Sequence, residues 1–314
     1  MSAEPTIAVI GADGFLGGSL AEALRAERVV YGTARKGDIH LSQAESLIRQ
    51  ADVIINAGGF RVRPGCAYAD YQRSHQGASA AFTPWVRSGA LFIHISSASV
   101  LGKSRNQKLG NDAPPNPRSF PSSSYATAKL EADCFLEKAA SARGFRLIFL
   151  RPAVVYSSQG AGMVGTVLKL ANRRVALRLY PRDARHHFCH MNLLVEVTRR
   201  VIEQNDKLPR SSTFVVADPY TVTNRELETM IERYGPQKTV TVPIPVPLVS
   251  TLLCRTFHSR NPKLDFRTWG EIFGVLNLDT AYDPSDTFCF LGIDSSKYAL
   301  NRTLLPLIQQ ALQQ

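Results

Sequence analysis

Two residues four positions apart, Tyr125 and Lys129, have the side chains and the spacing of a proton-transfer pair. Residues four apart on an α-helix lie on the same face, so a helix here brings the Lys129 ammonium close to the Tyr125 phenol. A free phenol titrates near pH 10, and a neighbouring ammonium favours the phenolate. The pair is therefore predicted to pass a proton near neutral pH, provided that a dinucleotide and a hydroxyl donor lie beside it.

Three glycines follow the first predicted strand, the apolar segment 6–10. Gly11 permits a tight turn, Gly14 lets the backbone approach a pyrophosphate, and Gly17 lets the next helix pack closely on the sheet. The backbone amides and the dipole at the start of that helix then hold the phosphates. This spacing at the first strand–helix junction predicts a dinucleotide site, and the alternative is a glycine-rich turn with a structural role only.

The second predicted strand, residues 29–33, is followed by two cations and no carboxylate. A carboxylate at this place binds the ribose 2′-hydroxyl of NAD, whereas cations suit the 2′-phosphate of NADP. Arg35 and Lys36 therefore favour NADP(H) over NAD, and the alternative is a solvated turn. Asp38 and Ile39 come soon afterwards and either flank an adenine or simply end the third strand.

Small residues and hydroxyl residues follow two further predicted strands. The strand 52–56 leads into the small turn 57–59, where the backbone can lie against a dinucleotide. The strand 91–95 leads into Ser97 and Ser99. Hydroxyls at the carboxyl end of a parallel strand point into the crevice in which doubly wound folds bind their ligands. These serines are therefore candidate hydroxyl donors for the tyrosine–lysine pair.

The composition is that of an ordinary soluble globular protein, with 314 residues, 44% of them hydrophobic and 20% charged. The formal net charge of +11 suits a phosphate-bearing cofactor and an anionic substrate. Basic residues are scattered rather than gathered in a run or stripe, so nucleic-acid binding is the weaker explanation. The apolar segment 242–254 is too short and too rich in proline to span a bilayer, so we expect no membrane partner. We expect it to pack on the core or to border a cleft.

The five cysteines lie far apart in the sequence and none has metal-ligand spacing. Reduced thiols in a cytoplasmic protein are therefore expected, and no metal site is predicted. The first residues lack the basic and apolar regions of a signal peptide.

The motifs that carry chemistry occur in a fixed order along the chain: the glycine turn, Asn56 to Gly58, Ser96 to Val100, Tyr125 to Lys129, and Arg151 with Pro152. Together they resemble the extended short-chain dehydrogenase/reductase superfamily, in its NAD-dependent epimerase/dehydratase branch, and the combination is far more specific than any single motif. The resemblance covers residues 6–200. The short link before Asp38 is similar to that of dTDP-4-dehydrorhamnose reductases, and the segment 185–193 is similar to one in sugar-nucleotide members. Ser74 and Leu101 depart from the pattern, which commonly has asparagine and tyrosine there.

The resemblance implies roles for the reactive side chains. Tyr125 would be the catalytic acid/base, and Lys129 would lower its pKa and bind the ribose. The Ser97 hydroxyl would bind the substrate oxygen, with Ser99 as the second choice. Tyr125 and Ser97 would then form a small oxyanion site of two preorganised donors.

The predicted cofactor residues combine the two small turns, the cations, the tyrosine–lysine pair and two residues that the resemblance places near the nicotinamide. They are Gly11, Asp13, Gly14, Phe15, Leu16, Gly17, Arg35, Lys36, Asp38, Ile39, Ala57, Gly58, Gly59, Tyr125, Lys129, Pro152 and Val155. The predicted substrate-binding residues are Ser97, Ser99, Arg182 and His190. Arg182 and His190 are placed to meet a substrate phosphate, and the alternative for either one is a solvated basic surface.

Buried apolar runs alternate with helical segments, which predicts an α/β fold. We expect a Rossmann-type doubly wound parallel sheet with a smaller, discontinuous C-terminal substrate lobe. The dinucleotide-binding domain is placed at residues 1–156 plus 185–218, and the substrate lobe at residues 157–184 plus 219–314. Helix-pair homodimers are common among the proteins that the chain resembles.

These expectations favour an NADP(H)-dependent oxidoreductase that reduces a keto group, with a nucleotide-activated sugar as the substrate. A sugar-nucleotide 4-epimerase or dehydratase with tightly bound NAD is the first alternative, although a dehydratase needs an acidic pair after Ser97, where Ala98 and Ser99 stand. A ketoreductase for a non-sugar secondary metabolite is the second alternative. A dinucleotide-sensing module without turnover is the third, but a sensor has no need of a proton donor.

Overall fold

A computed structural model describes residues 5–25, 30–34, 39–40, 44–104, 108–157, 162–236, 240–255, 259–261, 264–275 and 280–312. Twelve strands occur in these residues: β1 (Ile7–Ile10), β2 (Val30–Ala34), β3 (Ile39–His40), β4 (Val53–Asn56), β5 (Leu91–Ile95), β6 (Arg146–Pro152), β7 (Val154–Tyr156), β8 (Val175–Tyr180), β9 (Arg185–His190), β10 (Ser211–Val216), β11 (Thr221–Thr223) and β12 (Val240–Pro245).

The same residues contain twelve α-helices. They are α1 (Phe15–Arg25), α2 (Ala44–Gln50), α3 (Tyr68–Gln72), α4 (Ala78–Phe82), α5 (Ser123–Arg143), α6 (Gly162–Asn172), α7 (Met191–Glu203), α8 (Asn224–Tyr234), α9 (Val246–Cys254), α10 (Phe266–Val275), α11 (Ser285–Leu291) and α12 (Leu304–Leu312). A π-helical turn, Arg73–Gly77, joins α3 to α4. None of the helices in the described part of the chain is long and apolar enough to cross a membrane.

Seven strands form one parallel sheet in the order β10-β6-β5-β4-β1-β2-β3. The strand order reverses between β1 and β4: from β1 the chain adds β2 and β3 toward one edge, and from β4 it adds β5, β6 and β10 toward the other edge. Doubly wound sheets bind their ligands in the crevice at this reversal, outside the carboxyl ends of the strands. The predicted α/β class with a Rossmann-type parallel sheet is confirmed.

The central sheet is buried on both faces. Ile7 and Val9 of β1 pack into one core with α1 and α7, whereas Ala8 and Ile10 pack into a second core with α2 and α5. Successive strand residues point to opposite faces, so a strand covered on both sides becomes a continuous apolar run. Each fully buried side chain, such as Phe92, contributes about 1.5–3 kcal/mol to the free energy of unfolding.

The remaining strands form two small sheets, β11-β9-β7 and β12-β8. A third core, which includes Tyr156, Phe188 and Leu227, joins the first of these sheets to α6, α8 and α12. The division into a dinucleotide domain and a substrate lobe stays a proposal. One helix assigned to the lobe behaves differently, because Phe288 and Leu291 of α11 pack into the core of the large sheet.

Candidate active site

Ser97 and Tyr125 meet at the carboxyl end of β5. Ser97 lies two residues after the end of that strand and caps a short 3₁₀ turn, where its hydroxyl accepts hydrogen bonds from the Ser99 backbone N–H at 3.2 Å and the Ser99 hydroxyl at 2.9 Å. Tyr125 lies in the first turn of α5 and shares a side-chain hydrogen bond with Ser97. Two hydroxyl groups from different elements, the turn after β5 and the start of α5, therefore come together.

The predicted helix is present, and Lys129 lies one turn after Tyr125 in α5. Its Nζ donates to the Ile95 carbonyl at 2.9 Å, and its side chain is buried. Burial lowers the pKa of Lys129 to about 8, and the neighbouring Asp133 carboxylate opposes that shift. The ammonium is thereby held at the end of β5, close to the two hydroxyl groups.

The expected lowering of the Tyr125 pKa by Lys129 is not what the protein alone shows. Burial raises the pKa of Tyr125 to about 12, the hydrogen bond with Ser97 opposes the rise, and the charge of Asp133 adds to it. The physical reason is desolvation: removing a phenolate from water outweighs the hydrogen bond with Ser97 that favours the phenolate. Tyr125 is therefore a neutral phenol, ready to donate, at physiological pH.

A buried carboxylate, Asp133, lies one further turn along α5 and was not singled out by sequence reasoning. Its Oδ2 accepts from Ser96 Oγ at 2.8 Å and from Arg151 Nη2 at 3.3 Å, while His94 Nε2 lies 3.7 Å from Oδ1. Burial raises the pKa of Asp133 to about 6, against the opposing charge of Arg151. An acid spaced four residues after Lys129, on the same helical face, was the signal that could have revealed it.

Aromatic rings border Tyr125 on the side of α3 and the π-helical turn. The rings of Tyr71 and His75 lie edge-on to Tyr125, with centroids 5.7 Å and 5.6 Å away. His75 is buried and its ring contacts Gly59, because a Cβ on Gly59 would lie 2.2 Å from His75 Nδ1. Ser74, which replaces the family's usual asparagine, accepts a hydrogen bond from the Phe60 backbone N–H at 3.2 Å.

The glycine turn has the close approaches that the sequence predicted. Gly11 has a φ of +83°, and a Cβ on it would lie 2.9 Å from the Gly58 backbone. A Cβ on Gly17 would lie 2.2 Å from the Gly11 carbonyl oxygen. The Gly58 N–H donates to Asn56 Oδ1 at 3.2 Å, which fixes the second small turn beside the first. The two turns form a cradle that any side chain would fill, so the residues present fit a dinucleotide.

The other predicted cofactor residues lie in several different parts of the fold. Asp13 is exposed in the glycine turn, whereas Phe15, Leu16 and Ala57 pack against the core. Pro152 is the last residue of β6 in the large sheet, and Val155 lies in β7 of the small sheet β11-β9-β7, which follows it in the chain. Ile39 pairs with Thr33 through its backbone in β3. Three of the predicted residues lie outside the described residues: Arg35, Lys36 and Asp38.

The two predicted phosphate contacts, Arg182 and His190, have partners within the protein. Arg182 Nη2 lies 2.8 Å from Glu228 Oε2, and Arg178 pairs with the same buried carboxylate. His190 caps α7, because its Nδ1 accepts from the Asn192 N–H at 3.2 Å, and burial lowers its pKa. These contacts do not include Ser97 or Tyr125. The role of Arg182 and His190 toward a substrate stays a prediction.

A second buried polar network supports the junction between the large sheet and the lobe. Asp218 Oδ2 accepts from Tyr156 Oη at 2.8 Å, and its Oδ1 accepts from the His190 N–H at 2.8 Å. Tyr156 Oη also lies 3.0 Å from Tyr220 Oη. Burial raises the pKa of Asp218 to about 6. Sequence reasoning missed this network because its members come from three separate segments.

The chain is similar in structure to several solved sugar-nucleotide enzymes. UDP-glucuronic acid 4-epimerase from Bacillus cereus, in complex with UDP-glucuronic acid and NAD, matches with a TM-score of 0.73 and 16% identity, over 97% of this chain and 99% of that one. MoeE5 in complex with UDP-glucose and NAD matches with a TM-score of 0.73 and 16% identity, over 98% of each chain. UDP-glucose 4-epimerase from Thermotoga maritima, with UDP-glucose, matches with a TM-score of 0.70 and 16% identity, over 98% of each chain. A search of the curated proteins found no match.

These structures correct the cofactor prediction. The epimerase from Bacillus cereus and MoeE5 both hold NAD, so the prediction of NADP(H) is wrong on this comparison. That prediction rested on Arg35 and Lys36 alone. Two cations after the second strand select a 2′-phosphate only if they contact it, and a basic turn can equally stay in solvent.

The family model of the NAD-dependent epimerase/dehydratase family matches residues 7–217, which span the glycine cradle, the serine turn, the tyrosine–lysine pair and the sheet. The chain belongs to the NAD-dependent epimerase/dehydratase family.

Proposed function

We propose that the protein is an NAD-dependent 4-epimerase acting on a UDP-sugar. The observation that carries the proposal is the pairing of the Ser97 and Tyr125 hydroxyl groups, with the Lys129 ammonium held at the end of β5, in a chain whose glycine cradle fits a dinucleotide. Similar folds that hold a UDP-sugar with NAD support it. The absence of an acidic pair at Ala98 and Ser99 favours an epimerase over a dehydratase.

The proposed mechanism assigns the dinucleotide to the cradle of Gly11, Gly17 and Gly58. NAD, when bound, supplies the hydride acceptor and donor that the protein lacks. Tyr125 removes the proton of the substrate hydroxyl at C4 as that carbon is oxidised, and Ser97 holds the oxygen by a hydrogen bond. Tyr125 then returns the proton when the same carbon is reduced on its other face.

Tyr125 has to act as a base in the first half of this cycle and as an acid in the second. Burial holds it as a neutral phenol in the protein alone, with a pKa of about 12. Added positive charge lowers the pKa of a phenol. We therefore expect the pKa of Tyr125 to be lower in the complex with oxidised NAD than in the protein alone.

The test is epimerisation itself. The purified protein is incubated with NAD and, in turn, with UDP-glucose, UDP-glucuronic acid and UDP-N-acetylglucosamine, and the configuration at C4 is followed by NMR. We expect one of these substrates to reach a mixture of both C4 epimers with no net change in the cofactor, because each turnover oxidises and reduces the same carbon. Stoichiometric consumption of added NADH with the loss of a keto-sugar would contradict the proposal.

A further inference from the structure

The exposed apolar side chains of the protein are concentrated in one segment. Ten large hydrophobic side chains are exposed among the described residues, and seven of them lie between Val240 and Trp269. The sequence predicted that the apolar segment 242–254 packs on the core or borders a cleft. In the structure only Val246 of α9 is buried, so most of that helix faces outward.

The segment contains two packed helices, α9 and α10, which we call the α9–α10 pair. Gly270 of α10 lies directly against α9, because a Cβ on it would be 2.6 Å from Cys254 N. Ser250 Oγ also donates to the Gly270 carbonyl at 2.8 Å. These contacts hold the two helices against each other.

The outer faces carry large apolar groups at helical spacing. Leu248 and Leu252 lie one turn apart on α9 and are 58% and 57% exposed. Phe266 and Trp269 lie three residues apart on α10, so they share a face as well, and both are exposed. Single exposed apolar residues are ordinary, but a contiguous set on packed helices marks an interaction surface.

Among the described residues from Val240 to Val275, the exposed charged side chains are all arginines. Arg255, Arg260 and Arg267 are exposed, whereas Asp265 is buried and accepts a hydrogen bond from the Gly65 N–H at 2.6 Å. Glu271 is largely covered and lies 3.8 Å from Arg267 Nε. Apolar side chains with an aromatic group, surrounded by arginines, are complementary to a bilayer surface that contains anionic lipid. A second copy of the chain fits less well, because a two-fold contact through this surface would bring together two copies of the same arginine-bearing patch.

The sequence predicted no membrane partner, because the apolar segment 242–254 cannot span a bilayer; we propose instead that the α9–α10 pair docks on the surface of an anionic membrane, with its leucine and aromatic side chains among the headgroups and its arginines on the lipid phosphates. The pair is fixed to two segments that border the catalytic tyrosine. Gly65, which bonds Asp265, belongs to the loop before α3, and a Cβ on Gly274 would lie 3.0 Å from Pro121, just before α5. Docking would therefore place the membrane surface beside the entrance to the catalytic site.

Sedimentation of the full chain with vesicles tests the proposal, and vesicle binding is independent of catalysis. We expect binding to vesicles of phosphatidylcholine mixed with phosphatidylglycerol and much weaker binding to phosphatidylcholine alone. The double variant Leu248→Gln with Leu252→Gln should bind at least about tenfold more weakly, because two leucines no longer leave water. Phe290→Gln removes an equally exposed apolar side chain from α11 and should bind like the parent protein. Replacing Arg255 and Arg260 by Gln should weaken binding to the anionic vesicles about fivefold per residue.

Tryptophan fluorescence gives a second readout in a protein that folds normally. The chain has two tryptophans, so Trp85→Phe leaves Trp269 as the reporter. We expect its emission to shift to shorter wavelength when anionic vesicles are added. Absence of binding to either vesicle, or equal binding by the leucine double variant, would overturn the proposal. A dimer in sedimentation velocity that the leucine double variant abolishes would also overturn it, in favour of a second copy of the chain.

Discussion

Asp133 lies one helical turn beyond Lys129 on the buried face of α5, and the two groups oppose the effect of burial on each other. Burial lowers the pKa of Lys129 to about 8, and the carboxylate of Asp133 limits that fall. Burial likewise raises the pKa of Asp133 to about 6, and Arg151, Ser96 and Lys129 limit that rise. Tyr125, Lys129 and Asp133 thus form a row at four-residue spacing, in which the charge of Asp133 raises the pKa of both Lys129 and Tyr125.

Replacing Asp133 by Asn should change the pH dependence of turnover. Without the carboxylate the pKa of Lys129 falls below about 8, so the ammonium is lost at lower pH. We expect the alkaline limb of the kcat/KM profile for epimerisation to move about one unit toward acid. Glu137→Gln, which removes an exposed acid one turn further along α5, is the matched control and should leave the limb in place.

The Asp133→Asn protein should also be less stable by about 3–5 kcal/mol, because it leaves the buried Arg151 without its carboxylate partner. The profile is therefore measured well below the Tm of the variant. An alkaline limb at the parent's position in a folded Asp133→Asn protein would contradict the role of Asp133. Asp133→Glu, which keeps the charge, should restore most of the profile.

Removing the Tyr125 hydroxyl should abolish turnover and spare cofactor binding. Tyr125→Phe deletes the proton carrier and keeps the ring against Tyr71 and His75, so we expect kcat to fall about 10²–10⁴-fold. The Kd for NAD, measured by calorimetry, should change less than about threefold. Tyr180→Phe, at an exposed tyrosine, is the control for the loss of a phenol. Turnover by Tyr125→Phe at the parent's rate would exclude Tyr125 as the acid/base.

The glycine cradle gives a steric prediction. Gly17→Ala places a Cβ 2.2 Å from the Gly11 carbonyl oxygen, so the turn and the start of α1 have to separate. We expect the affinity for NAD to fall at least about tenfold, measured by calorimetry or by quenching of tryptophan fluorescence. Gly77→Ala is the matched control, since the nearest atom to its Cβ is 3.9 Å away and its backbone is helical. Equal affinities in both variants would place the dinucleotide elsewhere.

Buried His75 makes a prediction about acid stability. Burial lowers its pKa from 6.5 to about 2, so the unfolded chain binds a proton below pH 6.5 that the folded chain does not. Stability from this group is fully present above pH 6.5 and is lost as the pH falls, by about 1.4 kcal/mol per pH unit. His75→Leu removes this loss, so the stability difference between variant and parent should move in the variant's favour from pH 6.5 to 4.5. Between pH 7.5 and 8.5 the difference in the free energy of unfolding between His75→Leu and the parent should stay constant. If that difference also stayed constant down to pH 4.5, the lowered pKa of buried His75 would be contradicted.

The start of α8 supplies a stability prediction in the lobe. Thr223 Oγ1 accepts from the Glu226 N–H at 3.1 Å, and Glu226 Oε2 accepts from the Thr223 N–H at 2.7 Å, which makes a reciprocal capping box. Thr223→Ala should lower the free energy of unfolding by about 1 kcal/mol in a urea titration. Thr229→Ala, in the middle of the same helix, has no cap to lose and should change stability by less than about 0.5 kcal/mol.

The parts of this molecule that sequence reasoning predicted correctly are set by short stretches of chain. The run of apolar residues in β1 and the spacing of Gly11, Gly14 and Gly17 predict a strand, a turn and a helix from about ten residues. The four-residue spacing of Tyr125 and Lys129 is equally local. Elements of this kind follow from backbone geometry and helical period, so they could be seen before the fold was known.

The features that were missed depend on segments that meet only in three dimensions. Asp133 is buried because β5 and β6 bring Ser96 and Arg151 to α5. Arg182 lies beside Glu228, forty-six residues later in the chain, a contact that the sequence did not predict, and its expected role toward a substrate phosphate stays a prediction. The direction of the Tyr125 pKa shift was also missed. The four-residue spacing from Lys129 does not show how deeply the phenol is buried, and burial is what raises its pKa.

The placement of α11 has a consequence for how the chain can be made. When translation has reached residue 217, every strand of the large sheet has been synthesised. Phe288 and Leu291 of α11, which pack into the core of that sheet next to β10, have not yet been synthesised. Products that terminate between these points would carry a nearly complete nucleotide-binding half with a bare apolar border. We expect them to aggregate or be degraded, which pulse-labelling of stalled chains would reveal.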